Sequence, residues 1–525
     1  MSDFDDPESG QWYLPARLRL VGAAVEGRET GERFSVRSAI VSAALLVAGC
    51  TVGPDFQRPV PPDVDGYTVE PLASQTASAD VAGGAAQKFA MGQDIPGQWW
   101  DLFHSKPLTK LVEEALRTNP DLAAAQAALR QAKENVYAEE GQQYPEVDAN
   151  PSITREKTSK PVTGTSETFT LYNASISVSY VLDVFGGIRR QIESLEAQAE
   201  NQRFEVEAAY LTVTTNVVTA AILEASLRAQ IAATRDIIKA ESEQLSVLQQ
   251  QFGLGGVSKT DVLQQEATLR QAQATLPPLQ KQLAQVRNQL SALAGRFPSQ
   301  DRGEVFELAD LKLPEELPVS LPSKLVDQRP DVRAAEATMH AASAQIGVAR
   351  ANQLPQFTLS ADFATEATQV SSLATPGTAA WTVAAALAQP LFDAGQRLHL
   401  KRAAVAAYDQ AHEQYRSTVL TAFQNVADAL RALQSDADAL KAQVEAERSA
   451  ANSLAIAREQ FKVGAISYPS LLNAQEIYLQ ARISLVQAQA LRYADTAALF
   501  QALGGGWWNR TDIVGDPAGK RVSLN

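Results

Sequence analysis

Residues 173–182 read Asn-Ala-Ser-Ile-Ser-Val-Ser-Tyr-Val-Leu, and six residues later a stretch without proline or glycine runs from Ile188 to Gln251. The alternation of apolar and polar side chains in the first stretch predicts a β-strand with one apolar and one polar face. The second stretch predicts one helix about 95 Å long, at 1.5 Å of rise per residue. A helix of this length needs packing partners along its whole course.

The chain contains the same order of features twice, about 210 residues apart. The residues Asn-Pro-Asp-Leu at 119–122 recur as Arg-Pro-Asp-Val at 329–332. The residues Gln-Phe-Gly-Leu-Gly-Gly-Val-Ser at 251–258 recur as Gln-Phe-Lys-Val-Gly-Ala-Ile-Ser at 460–467. An internal repeat of this kind indicates two structural units of one type. We predict that each unit consists of a helix, two strands, a very long helix, a glycine-containing turn and a returning helix.

The second half repeats the helical signals in full. A stretch without proline or glycine runs from Leu398 to Phe461. The returning helices are predicted over residues 258–294 and 467–503, and a proline-rich connector at 297–322 lies between the halves. Because the returning helices are shorter than the long ones, we expect each long helix to pack against two shorter helices stacked end to end.

Four stretches alternate in polarity and predict strands: 147–154, 174–182, 357–364 and 381–387. Four strands cannot close a barrel around a lumen, and an open sheet in lipid leaves backbone groups unpaired. We therefore predict that several copies share one barrel; three copies would supply twelve strands, an even number within the range known for such barrels.

The alternation in the second strand also predicts which side chains face the membrane. We expect Ile176, Val178 and Tyr180 to face lipid and the serines between them to face the lumen, because only this register turns the apolar stripe outward.

Cys50, the only cysteine, closes the string Leu-Val-Ala-Gly-Cys at 46–50. The apolar run 39–47 before it is too short to span a bilayer and fits the apolar region of a signal peptide. The string resembles a bacterial lipobox, which implies that Cys50 is lipidated after removal of residues 1–49. No other segment is expected to be apolar enough for a transmembrane helix, so any spanning part would be β-structure.

Composition argues against several other classes of protein. The net charge of −14 and the isoelectric point near 5.0 offer no basic surface for nucleic acid. Four scattered histidines and one cysteine form no metal-ligand motif. No arrangement of nucleophile, base and orienting group is visible, so we expect no catalytic residues, no metal, no cofactor and no enzymatic activity.

Several strings resemble the outer-membrane factor family, the TolC-like and OprM-like exit ducts, in its NodT-type lipoprotein branch. The resemblance covers nearly all of residues 50–508. Its strings are Cys-Thr-Val-Gly-Pro-Asp-Phe at 50–56, the tryptophan pair and following helix at 99–119, Leu-Pro-Ser-Lys-Leu at 321–325, and Arg-Pro-Asp-Val-Arg-Ala-Ala-Glu at 329–336. Together, in this order and spacing, they are far more specific than any one of them.

The resemblance implies a homotrimer whose twelve-stranded β-barrel lies in the outer membrane and continues as a twelve-helix barrel into the periplasm. Its partners would be outer-membrane lipid, a periplasmic adaptor and an inner-membrane pump of the resistance-nodulation-division type. The duct would pass small molecules to the exterior, driven by the pump, and would perform no chemistry.

The resemblance further implies that the two turns after the long helices dock the adaptor. These turns place apolar side chains beside glycine, and we expect the apolar side chains to be exposed. The residues are Leu254, Gly255, Gly256 and Val257 in the first turn and Val463, Gly464, Ala465 and Ile466 in the second.

The expected gate departs from the pattern of TolC-like ducts, whose helix after the second turn carries two acidic residues three positions apart. Here Ser470 and Asn473 occupy those positions. Asp261 holds the equivalent place after the first turn, where with Ser258 it predicts a capping box. We therefore do not expect an acidic, cation-binding ring at the gate.

Two alternatives remain beside an efflux duct. A type I polypeptide secretion duct would have the same architecture, and a periplasmic coiled-coil scaffold would explain the helices but not the strands.

The predicted domains are the leader (1–49), an extended N-terminal segment (50–106), the first repeat (107–295), an equatorial connector (296–320), the second repeat (321–505) and a C-terminal tail (506–525).

Overall fold

The computed structural model describes residues 51–158 and 166–510. The predicted leader, Cys50 and most of the predicted tail lie outside these ranges. The first half follows a short strand and a 3₁₀ helix at Trp99–Phe103. Its elements are β1 (Lys88–Met91), α1 (Lys106–Thr118), α2 (Pro120–Glu140), β2 (Glu146–Lys157), β3 (Thr168–Leu182), α3 (Gly187–Gly253) and α4 (Lys259–Leu293).

The second half repeats this order after a short strand in the connector. Its elements are β4 (Glu316–Val319), α5 (Pro322–Gln328), α6 (Pro330–Ala351), β5 (Gln356–Ala367), β6 (Ala379–Ala388), α7 (Gln396–Lys462) and α8 (Tyr468–Ala502). Both long helices contain 67 residues and both returning helices contain 35. The order of elements predicted for the two halves is confirmed.

The long helices begin at equivalent glycines. Gly186 and Gly395 precede them with φ of 77° and 85°, a conformation that side chains with a Cβ rarely adopt. The sequence did not reveal how long the strands are: β3 extends six residues before the predicted start at residue 174. A β-sheet ladder can continue through residues that break the alternation, because its backbone bonds do not depend on side chains.

The four longer strands form one antiparallel sheet in the order β2-β3-β5-β6. The two halves meet in its centre, where β3 pairs with β5 and Ile176 lies opposite Phe363. β2 and β6 are the two outer strands, and every residue of both is exposed in the single chain. The sheet therefore ends in two unpaired edges within the described residues.

The shorter helices are stacked end to end, as expected. Asn119 joins α4 to α2: its Nδ2 donates to the carbonyl of Leu293 at 3.0 Å, and its Oδ1 accepts from the amides of Asp121 and Leu122. Arg329 has the same place in the second half, where its Nη1 donates to the carbonyl of Ala502 at 2.9 Å. Each junction brings the negative end of one helix dipole to the positive end of the next.

We call the layer around these junctions the equator: the 3₁₀ helix Trp99–Phe103, the parallel pair of β1 and β4, and residues 296–320. Its core includes the fully buried Trp99 and Trp100. Tyr493 of α8 donates from its hydroxyl to the carbonyl of Leu311 at 2.9 Å. The predicted N-terminal segment and connector thus form one layer, which the sequence did not reveal.

Among the helices of residues 51–158 and 166–510, one, α3, is long and apolar enough to span a membrane by length and composition, contrary to the expectation that no such segment follows the leader. However, 56% of its apolar window is buried inside the molecule. The reason is its central place, since α1, α2, α4, α6 and α8 all pack against it. This burial is that of a core helix.

Candidate functional site: the apolar sheet and the two tips

The pairing register gives the sheet one continuous apolar face. Residues opposite each other in a ladder point to the same side. Val178 lies opposite Val147 of β2 and Ala361 of β5, and Ala361 lies opposite Val383 of β6. The two neighbouring rows on this face are also apolar. One consists of Ile176, Phe363 and Trp381, and the other of Tyr180, Leu359 and Ala385. The three residues predicted to face lipid therefore share one face with apolar residues of the neighbouring strands.

The opposite face of the sheet is polar. Ser177 lies opposite Asp148 of β2 and Asp362 of β5, and the side-chain amide of Asn150 donates to its Oγ at 3.2 Å. On the apolar face, Trp381 is 76% and Val383 72% exposed. A sheet this apolar on one side needs to be covered by lipid or protein.

At the far end of the long helices lie two turns of the same geometry, the first tip (253–258) and the second tip (462–467). Gly256 N–H donates to the carbonyl of Gln251 at 2.8 Å, and Ala465 N–H to that of Gln460 at 2.8 Å. Gly255 and Gly464 lie between, with φ of 76° and 73°. These are Schellman motifs, in which a left-handed residue ends the helix and its last carbonyls remain bonded.

The two tips expose fewer apolar side chains than expected. Leu254 is 89% and Val463 79% exposed, and no other atom lies within 4 Å of a Cβ placed at Gly255 or Gly464. Val257 and Ile466, predicted to be exposed, are half-buried instead. They pack against a small core that the two tips share, since they follow the glycine and point back toward the helices. This core consists of Leu248, Leu454, Ala457, Tyr468, Leu471 and Ala474.

The predicted capping box after the first tip is present. Ser258 Oγ accepts from the amide of Asp261 at 3.2 Å, and Asp261 accepts from the amide of Ser258 at 3.0 Å. Ser470 has the equivalent place after the second tip, where its hydroxyl lies 2.9 Å from the hydroxyl of Ser467 and caps no backbone amide. Both Ser470 and Asn473 are exposed, so two neutral side chains lie at the surface near the second tip.

A buried polar chain links the two tips, and the sequence analysis missed it. The hydroxyl of Tyr468 on α8 donates to Oε1 of Gln265 on α4. Gln265 Nε2 then donates to the carboxylate of Glu241 on α3 at 2.6 Å. All three side chains are buried, and burial raises the pKa of Glu241. The only signal was an aromatic residue at the start of α8 where the first repeat has Lys259.

The segment after Cys50 runs against α3 and α6 near the sheet. Thr51 packs on Gly186, where its Cα would lie 3.0 Å from an added Cβ. Asp55 pairs with Arg190 of α3 at 2.6 Å, and Phe56 stacks on His340 of α6 with ring centroids 4.4 Å apart. The residue next to Cys50 is therefore fixed close to the base of the sheet.

A model of the family described as "Outer membrane efflux protein" matches residues 111–296 and 321–505, which contain the two repeats. The chain is 28% identical over 472 residues to the toluene efflux pump outer membrane protein TtgC of Pseudomonas putida, covering 89% of this chain and 95% of that protein. It is 27% identical over 482 residues to "Probable outer membrane lipoprotein SilC" of Salmonella typhimurium, covering 90% and 99%.

The fold agrees with these matches. The structure of the outer-membrane channel OprN superposes with a TM-score of 0.77 at 26% identity, covering 87% of this chain and all of OprN. The chain combines a sheet that is apolar on one face with very long helices, and it superposes on an outer-membrane channel over most of its length. These features define a channel protein of the outer membrane. The chain belongs to the outer membrane efflux protein family. It is the outer-membrane channel component of an efflux system, in a family of transport proteins.

Proposed function

We propose that three copies of the chain assemble into one duct, with a twelve-stranded barrel in the outer membrane and a twelve-helix barrel in the periplasm. The observation that carries this proposal is the four-stranded sheet, apolar on one face and unpaired at β2 and β6. Each backbone polar group left unpaired in lipid costs about 2–7 kcal/mol. Pairing β6 of one copy with β2 of the next removes both edges.

In this assembly the apolar face points to lipid and the polar face to the lumen. Ile176, Val178 and Tyr180 then contact acyl chains, and Ser177 with Asp148 and Asp362 lines the water-filled interior. The four helical columns of each copy are α3, α7, α4 stacked with α2, and α8 stacked with α6. Three copies supply twelve columns, which supports a helical wall that continues the barrel.

The duct passes small molecules outward from a periplasmic adaptor and an inner-membrane pump of the resistance-nodulation-division type. TtgC is named for toluene efflux, which supports a small-molecule cargo. Export of polypeptides in a type I system is the second candidate, since it uses the same architecture. The apolar face of the sheet argues against a periplasmic scaffold without a transport function, because such a scaffold would not need a face that contacts lipid. We propose no catalytic role, no cofactor and no metal for any residue of the chain.

Cys50 is the lipid anchor in this proposal. The name of SilC describes that relative as a lipoprotein. Thr51, the next residue, packs against Gly186 at the base of the sheet, close to where a membrane surface would lie. The adaptor would dock on the two tips, through Leu254, Gly255 and Gly256 of the first and Val463, Gly464 and Ala465 of the second. Val257 and Ile466 would support these surfaces from below.

The six segments predicted from the sequence remain our proposal for the domains: leader 1–49, N-terminal segment 50–106, repeats 107–295 and 321–505, connector 296–320, tail 506–525. The contact of β1 with β4 supports treating the N-terminal segment and the connector as one equatorial layer in the folded chain.

The barrel proposal is tested by a pair of charge substitutions on neighbouring residues of β3. Val178→Arg places a charge on the apolar face, where it costs on the order of 2–4 kcal/mol at the bilayer midplane, whereas Ser177→Arg faces the lumen. We expect Val178→Arg to reduce the amount of trimer extracted from the outer membrane and Ser177→Arg to leave it near the wild-type amount. Equal yields of trimer from the two variants would contradict the proposed orientation of the sheet.

A further inference from the structure

The charged residues of the four-stranded sheet are sorted by sign between its two faces. The four strands carry seven charged side chains. Both bases, Arg155 and Lys157 of β2, lie opposite Thr170 and Thr168 and therefore share the apolar face with Val178. All five acids lie on the polar face, in the rows of the β3 serines and their neighbours: Glu146, Asp148, Glu156, Asp362 and Glu366.

Composition does not explain this division. The chain has 60 acidic and 46 basic residues, so a face with bases and no acids is not expected from their numbers. In the proposed duct the polar face meets water and tolerates charge of either sign. The apolar face meets lipid, where an arginine or lysine costs on the order of 2–4 kcal/mol at the midplane and about 0–1 kcal/mol near the membrane surface. The two bases therefore need a place near the surface.

The apolar rows of this face have the height of a membrane's apolar band. The row next to the helices contains Leu182 and Phe357, and the farthest apolar row contains Tyr172 and Ile153. Leu182 and Tyr172 are ten residues apart on β3. This separation gives a height of about 26 Å at 3.4 Å per residue and a strand tilt of about 40°. The apolar band of outer-membrane barrels is about 25 Å tall.

Arg155 begins the first row beyond this band. Its partner Thr170 lies two residues past Tyr172, which adds about 5 Å of height, and Lys157 lies about 10 Å past the band. Side chains that point outward at this height leave the acyl chains and meet lipid headgroups, in the leaflet farther from the helices. The connection 368–378 between β5 and β6 contains no charged residue, so among the described residues at this end of the sheet the outward positive charge lies on β2.

The spacing of the two bases suits a phosphate group. Arg155 and Lys157 leave the same side of one strand with Cα atoms about 7 Å apart, and both are exposed. Glu156 between them points to the opposite face and does not neutralise them. A guanidinium binds two phosphate oxygens with parallel hydrogen bonds, and an ammonium adds a point charge and further donors.

We propose that Arg155 and Lys157 bind the phosphate group of an anionic lipid in the outer leaflet, an inference that rests on the orientation of the sheet in the duct proposed above. The acyl chains of this lipid cover the apolar rows below the pair, beginning with Ile153. Free phosphate lacks these chains and binds more weakly. Because β2 is an outer strand of the sheet, the three sites of a trimer lie at the three seams between copies.

The test is native mass spectrometry of the full-length trimer purified in detergent and mixed with lipid A. One sample contains lipid A with both of its phosphates, and the other contains lipid A from which the phosphates have been removed. We expect the wild type to bind the phosphorylated lipid about tenfold more tightly, the effect of about one charge-assisted hydrogen bond. The double variant Arg155→Gln, Lys157→Gln should lose this preference and bind both lipids equally.

The matched control removes the same number of positive charges elsewhere. Lys110→Gln combined with Lys133→Gln changes exposed positions of α1 and α2 and should keep the wild-type preference. Lys157→Gln alone is the second variant should the double one assemble poorly, and it should weaken binding of the phosphorylated lipid only. Inorganic phosphate added at the concentration of the lipid should not displace it; displacement would show recognition of a free anion and overturn the lipid assignment.

The outcomes separate this inference from the duct itself. Equal binding of the two lipids by the wild-type trimer, or an unchanged preference in the double variant, would overturn the lipid site and leave the duct intact. If no trimer is recovered from the outer membrane of cells that make the wild type, the duct is contradicted, and the lipid site with it.

Discussion

The first and second tips have the same backbone and different chemistry. Both end a 67-residue helix in a Schellman motif around one left-handed glycine, Gly255 or Gly464. The flanking positions differ: Gly253 and Gly256 of the first tip correspond to Lys462 and Ala465 of the second. The glycine with positive φ is required by the turn geometry and is the same in both tips, as is the serine that precedes each returning helix, Ser258 or Ser467.

The starts of the two returning helices are held in different ways. α4 begins with a capping box, in which Ser258 and Asp261 bond each other's amides. α8 lacks the carboxylate and begins instead with Tyr468, whose hydroxyl reaches Gln265 of the first hairpin. The first tip is therefore stabilised by local bonds and the second by a tertiary contact. This difference suggests that the second tip depends on the first for its position.

The largest expected effect comes from blocking the approach of a partner to either tip. Gly255→Trp and Gly464→Trp each place a large side chain in open space and force a residue with a Cβ into the left-handed region, at about 1–2 kcal/mol. We expect loss of export with normal amounts of outer-membrane trimer. Drug susceptibility and trimer immunoblots would measure this.

The control for the first tip is Gly256→Ala, which gives it the residue that the second tip has at Ala465. Gly256 does not have a positive φ, and an added Cβ meets its nearest atom at 3.4 Å. This variant should export normally. Efficient export by both Trp variants would show that the tips do not dock a partner.

A second prediction concerns the charge at the mouth of the duct. With Ser470 and Asn473 neutral and exposed, conductance in planar bilayers should respond weakly to multivalent cations. The double substitution Ser470→Asp and Asn473→Asp would place six carboxylates at the mouth of a trimer and focus a negative field there. We expect this variant to be blocked by multivalent cations. If the wild type is already blocked, another acidic ring, for example one built on Asp261, must hold the aperture.

The tertiary contact of the second tip depends on one atom, the hydroxyl oxygen of Tyr468. Tyr468→Phe leaves the buried Oε1 of Gln265 without its donor, at about 1–3 kcal/mol. We expect a lower thermal unfolding midpoint and faster hydrogen exchange at the start of α8. Lys259→Ala, at the exposed equivalent position of α4, is the control and should change neither. The role assigned to this contact is wrong if both variants behave alike.

The sequence predicted those features that depend on neighbouring residues in the chain. Alternation predicted β2, β3, β5 and β6, the absence of proline predicted both long helices, and Ser258 with Asp261 predicted the capping box. The apolar face of the sheet followed from the same alternation. Because helix and strand patterns repeat over many residues, one irregular position does not hide them.

The features that were missed depend on residues far apart in the chain. The link from Tyr468 through Gln265 to Glu241 spans more than 200 residues, and so does the pairing of β1 with β4. Val257 and Ile466 look exposed when each turn is read alone, and become half-buried only because the two tips share a core. No local pattern contains these contacts, since they arise when the second half packs on the first.

The smallest expected effect comes from the residues that cap the starts of α4 and α8, Asp261 and Ser470. Asp261→Ala removes a carboxylate that accepts from the amide of Ser258 and lies at the positive end of the α4 dipole, worth about 0.3–1 kcal/mol. Ser470→Ala removes only a contact between two hydroxyls and should be near neutral. Ser470→Asp should give α8 the cap that α4 has. Hydrogen exchange of the first turns of α4 and α8 would show faster exchange for Asp261→Ala, slower exchange for Ser470→Asp, and little change for Ser470→Ala. Equal effects of the two alanine substitutions would mean that the first tip is not held by its local cap, and the contrast between the tips would then rest on Tyr468 alone.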